Sequence, residues 1–163
     1  MDLGTALTGI VCIAICAIPY ILVRTSRKKT AQQLLAPILE LAATESCTLS
    51  HHEFCGNYAI GIDETKNFLF FHWKTKTESD VQCIDLARVQ ACVMSKTYRT
   101  IEKDRILDTL SLRFALNGES NTPVDLHFYQ ADISYQLSGE LQSLEKWDQL
   151  INRRLDRNNS DNN

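Results

Sequence analysis

With 163 residues, 44% of them hydrophobic, and a formal net charge of −3, the chain is long enough for one domain with a single core. Its charge is unevenly spread: Arg24, Arg27, Lys28 and Lys29 sit close together, and the sequence after them is net acidic. That balance argues against a nucleic-acid binder, whose electrostatic footprint is a basic field.

The first element is an uncharged run from Leu3 to Val23. At roughly 20 residues it is long enough to cross a bilayer as one helix. A secretory signal peptide would place its cations before the apolar run and a small-residue cleavage site after it. Here Asp2 precedes the run and the four cations follow it. Cys12 and Cys16 follow the bulky Val11 and Ile15, which is not a lipoprotein context. Cations resist translocation, so residues 1–23 are read as a transmembrane anchor with the N-terminus outside. Everything after it is then expected to be held in the cytoplasm, at the inner (cytoplasmic) membrane.

Residues 24–46 are expected to form a basic juxtamembrane segment and a linker helix. Thr30 caps that helix, Leu34, Leu35, Ile38, Leu41 and Ala42 give it an apolar stripe, and Pro37 should bend it or delay its start. From Cys47 to Gln130 the period becomes two. Tyr58–Ile62 and Asn67–Trp73 flank a turn at Asp63-Glu64-Thr65-Lys66, Val81–Ile84 is a short strand, and Val89–Met94 is another. Residues 95–105 are expected to be a loop. Leu110, Leu112, Phe114 and Leu116 alternate inward, as do Val124, Leu126 and Phe128, across a turn at Asn117–Asn121. A closing helix is expected over Ser134–Asp156, with Leu137, Leu141, Leu144, Trp147, Ile151 and Leu155 facing the sheet. The polar segment 158–163 is expected to be disordered.

Six or seven antiparallel strands followed by one amphipathic helix is the plan of the pleckstrin-homology-like (PH-like) barrel. Ile84–Val89 resembles the short strand and corner of bacterial PH-like domains, and Gly56–Glu64, Leu137–Leu141 and Glu145-Lys146-Trp147 resemble stretches of uncharacterised bacterial proteins with one N-terminal span and a cytoplasmic PH-like domain. The resemblance implies an α+β fold: a transmembrane helix, then an antiparallel PH-like β-barrel or sheet over 47–157 closed by the C-terminal helix. It implies no activity, and the turn after Asp63 lacks the basic cluster of lipid-binding relatives.

Candidate sites are few. Cys47, His51, His52 and Cys55 carry ligand chemistry, but a zinc site usually draws on two separated pairs, and adjacent histidines diverge in a strand; no metal or cofactor is expected. Asp63, Glu64 and Lys66 read as turn chemistry, and Trp147 as the plug between helix and sheet. There is no Gly-x-Ser-x-Gly elbow, no His-Glu-x-x-His and no glycine-rich phosphate loop, so the chain is not read as an enzyme. In a reducing cytoplasm the cysteines outside the span are small hydrophobes; the opposite topology would permit disulfides among Cys47, Cys55, Cys83 and Cys92.

Two basic clusters remain as contact residues for a membrane surface or a partner: Arg24, Arg27, Lys28 and Lys29, and Lys96, Arg99, Lys103 and Arg105. The expected function is a membrane-anchored, non-catalytic module that binds a protein or peptide. One alternative is recognition of anionic lipid by the 95–105 segment. The other is a structural subunit of a membrane complex, packing through the small residues Thr5 and Gly9.

Overall fold

The computed structural model describes residues 30–101, 103–117, 122–134 and 136–161. The expected span and the four cations behind it lie outside the described residues. No helix among the described residues is long and apolar enough to cross a membrane. The chain divides into two units, of which Leu34–Asn163 is the second.

Residues 30–44 are helical (α1), with no interruption at Pro37. Seven strands follow: β1 (His51–Cys55), β2 (Tyr58–Asp63), β3 (Phe68–Lys74), β4 (Ser79–Asp85), β5 (Val89–Ile101), β6 (Asp104–Leu116) and β7 (Val124–Gln130). One 3₁₀ turn, Leu86–Arg88, joins β4 to β5, and Glu140–Asp161 forms the closing helix α2. The strands make two antiparallel sheets, ordered β1-β2-β3-β4 and β5-β6-β7. The architecture is α+β, and here the barrel expectation needs correction. Neither sheet closes on itself or pairs with the other, and α2 covers the core between them instead.

The main core takes one face of each sheet. Tyr58, Ile60, Ile62, Leu69 and Phe71 meet Leu110, Leu112, Phe114, Leu126 and Phe128, and Leu144, Trp147, Ile151 and Leu155 of α2 pack against them. Tyr58 stacks on Phe71 at 5.6 Å, and Phe128 tilts against both rings. A second cluster occupies the other face of the first sheet, where Leu34, Ile38 and Ala42 of α1 cover Ala59 and Phe70. That explains why Phe68–Trp73 is apolar at nearly every position: β2 and β3 are covered on both sides.

His72 fastens α1 to the sheet. It is buried, with Nδ1 2.8 Å from the Leu34 carbonyl and Nε2 3.0 Å from Ser79 Oγ. The contact to a carbonyl requires the proton on Nδ1. At the opposite end of β3, Asp63 organises the turn that the sequence marked. Its Oδ1 accepts from the Thr65 and Lys66 amides, and its Oδ2 from Thr48 N–H.

The closing helix starts later than its periodicity implied. Gly139 has φ +115°, a conformation that L side chains rarely adopt, and Glu140 turns back to accept from the Ser138 amide. Leu137, expected in the apolar stripe, is therefore outside the helix and 43% exposed.

Candidate interaction site

The expected 95–105 loop is a hairpin. β5 and β6 pair from Val89↔Leu116 out to Ile101↔Asp104, whereas β7 pairs with β6 only from Thr109 to Phe114. The outer part of the hairpin is thus a two-stranded ribbon projecting beyond the third strand. Thr97, Tyr98, Thr100, Ile101, Ile106 and Leu107 are good strand formers; the interleaved charges concealed that pattern. A register shift between Thr97 and Tyr98 marks where the ribbon leaves the sheet, as bulges commonly do.

Alternation gives the ribbon two faces. Tyr98 and Arg105 share one, with the guanidinium carbon 4.3 Å from the ring centroid. Arg99, Ile101 and Ile106 share the other, which with Tyr129, Ala131 and Asp132 lines a groove of about 380 Å³. Tyr98 and Ile101 are each 47% exposed and Ile106 41%, an unusual concentration of large apolar side chains on one projection.

The four cations that the sequence grouped here do not converge. Lys96 lies 3.5 Å from Glu145 of α2. Arg99 is held by Asp108 at 3.3 Å and Asp132 at 2.7 Å. Arg105 covers Tyr98, and Lys103 stands exposed at the tip. Acidic neighbours thus engage two of the four, and the apolar side chains are the more distinctive feature.

Nor do the potential metal ligands come together. Cys47 is buried beneath α1, and Cys55, at the far end of β1, points its thiol at the Ser138 carbonyl. Among the described residues no three His, Cys, Asp or Glu side chains are placed to hold a metal ion. Cys47, Cys55, Cys83 and Cys92 are free thiols. Burial pushes Cys92 up to about 12, and Cys55 and Cys83 up to about 11. Thiols of that kind are poor nucleophiles at neutral pH.

One cluster escaped the sequence reading. Arg153, Arg154 and Arg157 of α2 line a cleft of about 220 Å³ with Leu150, His51 at the start of β1, and Glu64 in the β2–β3 turn. Arg154 is half-buried, and its guanidinium donates to Asn67 Oδ1 at 2.7 Å and to the Glu64 carbonyl. Glu64 faces His51 at 3.7 Å. Arg157 is exposed, with no partner among the described residues. Spacing at i, i+1 and i+4 was visible in the sequence, but its facing partners lie about a hundred positions earlier in the chain.

The two sites occupy opposite ends of the unit. Lys96 meets α2 near its N-terminal end, at Glu145. The β1–β2 turn lies at that end too, where a Cβ on Gly56 would collide with Glu140. Leu34 belongs to the same end, since it contacts His72, next to the Tyr58↔Trp73 pair. The arginines meet Glu64 and Asn67 at the other end of β2 and β3. No family model, no curated protein and no solved structure matches the chain.

Proposed function

We propose that this chain is a single-span, membrane-anchored interaction module, with a PH-like domain held in the cytoplasm to bind a protein partner. The observation that carries the reading is the projecting β5–β6 ribbon with Tyr98, Ile101 and Ile106 exposed on it. Apolar side chains grouped on a projection and rimmed by charges mark interaction surfaces in soluble domains. Supporting the PH-like assignment is the plan itself, four antiparallel strands, three more, then one helix over the core. Support for the anchor comes from the uncharged run Leu3–Val23 and the cations behind it.

A photoreactive residue at Ile101 or Ile106, in the full-length protein in its native membrane, tests this. The expected result is one discrete protein adduct, absent when the probe is moved to Lys76 in the β3–β4 loop and lost on charge substitution of the other isoleucine. Adducts formed only with lipid would overturn the reading.

One observation favours lipid recognition as the second reading. Lys103 and Arg105 flank the apolar tip of the ribbon. Under that reading the protein, purified in detergent, would bind anionic vesicles in a salt-dependent way, because only charges within about 8 Å of a surface are felt at physiological ionic strength.

A further inference from the structure

We infer that the free edge of β6 at residues 104–107 takes an extended segment of the partner protein as an added strand, with apolar and basic side chains turned into the groove beside it. Strand addition presupposes the ribbon as the partner surface, as proposed above, and adds what the partner brings to it.

β7 is the strand that would otherwise cover this edge. It stops because the chain turns at Gln130, whose carbonyl accepts from the Ile133 and Ser134 amides. Past the paired residues, the Ala131 amide still donates to the Asp108 carbonyl at 2.9 Å. From there to the tip, β6 has β5 on one side and no strand on the other among the described residues. Asp104, Arg105 and Ile106 are all exposed. In an antiparallel pair every second residue turns its N–H and C=O away from its partner. Half of the backbone groups of residues 104–107 therefore point out of the ribbon over about 14 Å. Donors and acceptors in a row at that spacing are matched by another extended backbone.

The groove states the side chains such a strand should carry. Ile101, Ile106 and Ala131 give it apolar walls. Asp104 lies directly opposite Ile101 and so shares its face. Arg99 is engaged there by Asp108 and by Asp132, whose side chain is 79% exposed. One cation thus meets three carboxylates on this face. Arg105 does not offset them, since it is turned over Tyr98 on the other face, and Lys103 stands beyond the groove at the tip. A lysine or arginine between two apolar residues, at every second position of an added strand, complements both features. A second copy of this chain is the poorer occupant. Antiparallel pairing of two copies about Ile106 sets Asp104 opposite Asp108, and pairing about Arg105 sets two arginines opposite each other. Like charges directly opposite destabilise a sheet.

The test uses the full-length protein in nanodiscs of uncharged phosphatidylcholine. The probe is the peptide acetyl-Thr-Val-Thr-Lys-Thr-Val-Thr-amide, in which Val, Lys and Val share one face. It is titrated calorimetrically beside a version with Glu for Lys and two N-methylated versions, one blocked at the threonine amides and one at the others. Binding of the parent peptide is expected, with the Glu version weaker. One N-methylated version should lose about tenfold or more, having forfeited the bonds to β6, and the other should match the parent. Amide exchange in residues 104–107 should slow when the peptide binds. D104N/D132N should abolish the preference for Lys over Glu, and unchanged thermal unfolding at these exposed positions confirms that the variant folds. Absence of peptide binding, equal loss or equal indifference for the two N-methylated versions, or no preference for Lys would overturn strand addition. Dimerisation of the free protein that the peptide reverses would overturn it in favour of a second copy. The photoadduct at Ile101 or Ile106 reports on the ribbon by itself, so an adduct that persists while N-methylation has no effect overturns strand addition alone.

Discussion

Trp147 shows how much of this fold depends on single side chains. It is 1% exposed and touches the core from the middle of α2. Truncating a buried tryptophan costs about 3–5 kcal/mol, a large share of the ~5–15 kcal/mol that holds a domain together. Trp147→Ala should therefore lower the unfolding free energy by that amount, read as a lower denaturant midpoint; an unchanged midpoint would mean the helix does not close the core. Asp63 makes a different contribution. Burial on its own would raise its carboxyl, but the amides of Lys66, Thr48 and Thr65 outweigh that and hold it below its ordinary value. A carboxyl depressed in the folded state stabilises in full above its unfolded pKa of about 3.9, and that contribution is lost as pH falls through the folded value. Stability should thus fall on acidification below about pH 4, and Asp63→Asn should flatten that limb of the curve. Asp63→Ala, which strands three amides, should cost about 1–3 kcal/mol near neutrality. Guanidinium unfolding between pH 2 and 7 reads both.

At the scale of elements, the β5–β6 ribbon and α1 behave differently because one is covered and the other is not. Beyond Thr109 the ribbon packs against no third strand, so Ile101→Asp and Ile106→Asp should change unfolding free energy by less than about 0.5 kcal/mol. A larger loss would show that the tip is part of the core, leaving no apolar surface for a partner. The same contrast explains what was legible in the sequence. Alternation at Leu110, Leu112 and Phe114 and the turn at Asp63 were readable because both follow from local periodicity and local hydrogen bonding. The ribbon was hidden because Tyr98 on one face and Ile101 and Ile106 on the other carry charged neighbours, and a segment paired only with itself has no buried face to sharpen the pattern. The helix start was misjudged because Leu137 continues the spacing of Leu141 and Leu144, while the φ of Gly139 does not show in a hydropathy pattern. Nothing local says which sheet edges meet, so closure into a barrel was not decidable from periodicity. The arginine cleft is tertiary in origin: α2 supplies the cations, and only the fold brings Glu64 and His51 to them.

For the whole molecule, the proposed anchored topology makes a simple prediction. A reporter enzyme that works only outside the membrane, fused behind Asn163, should stay inactive, because Arg24, Arg27, Lys28 and Lys29 resist translocation. Strong activity would reverse the orientation and reopen disulfide pairing among the cysteines. The two-sided covering of β2 and β3 also bears on how the protein is made. Both strands leave the ribosome well before Trp147, and the half of α2 that seals the core emerges only after every strand has been synthesised. Until then a nascent chain can lay α1 on one face of its first sheet and the second sheet on the other, but the core between the sheets lacks Trp147, Ile151 and Leu155 to close it. Apolar surface left open in this way invites aggregation and proteolysis. A chain that stalls before Trp147 therefore keeps an unclosed core, and the last element made is the one that seals it.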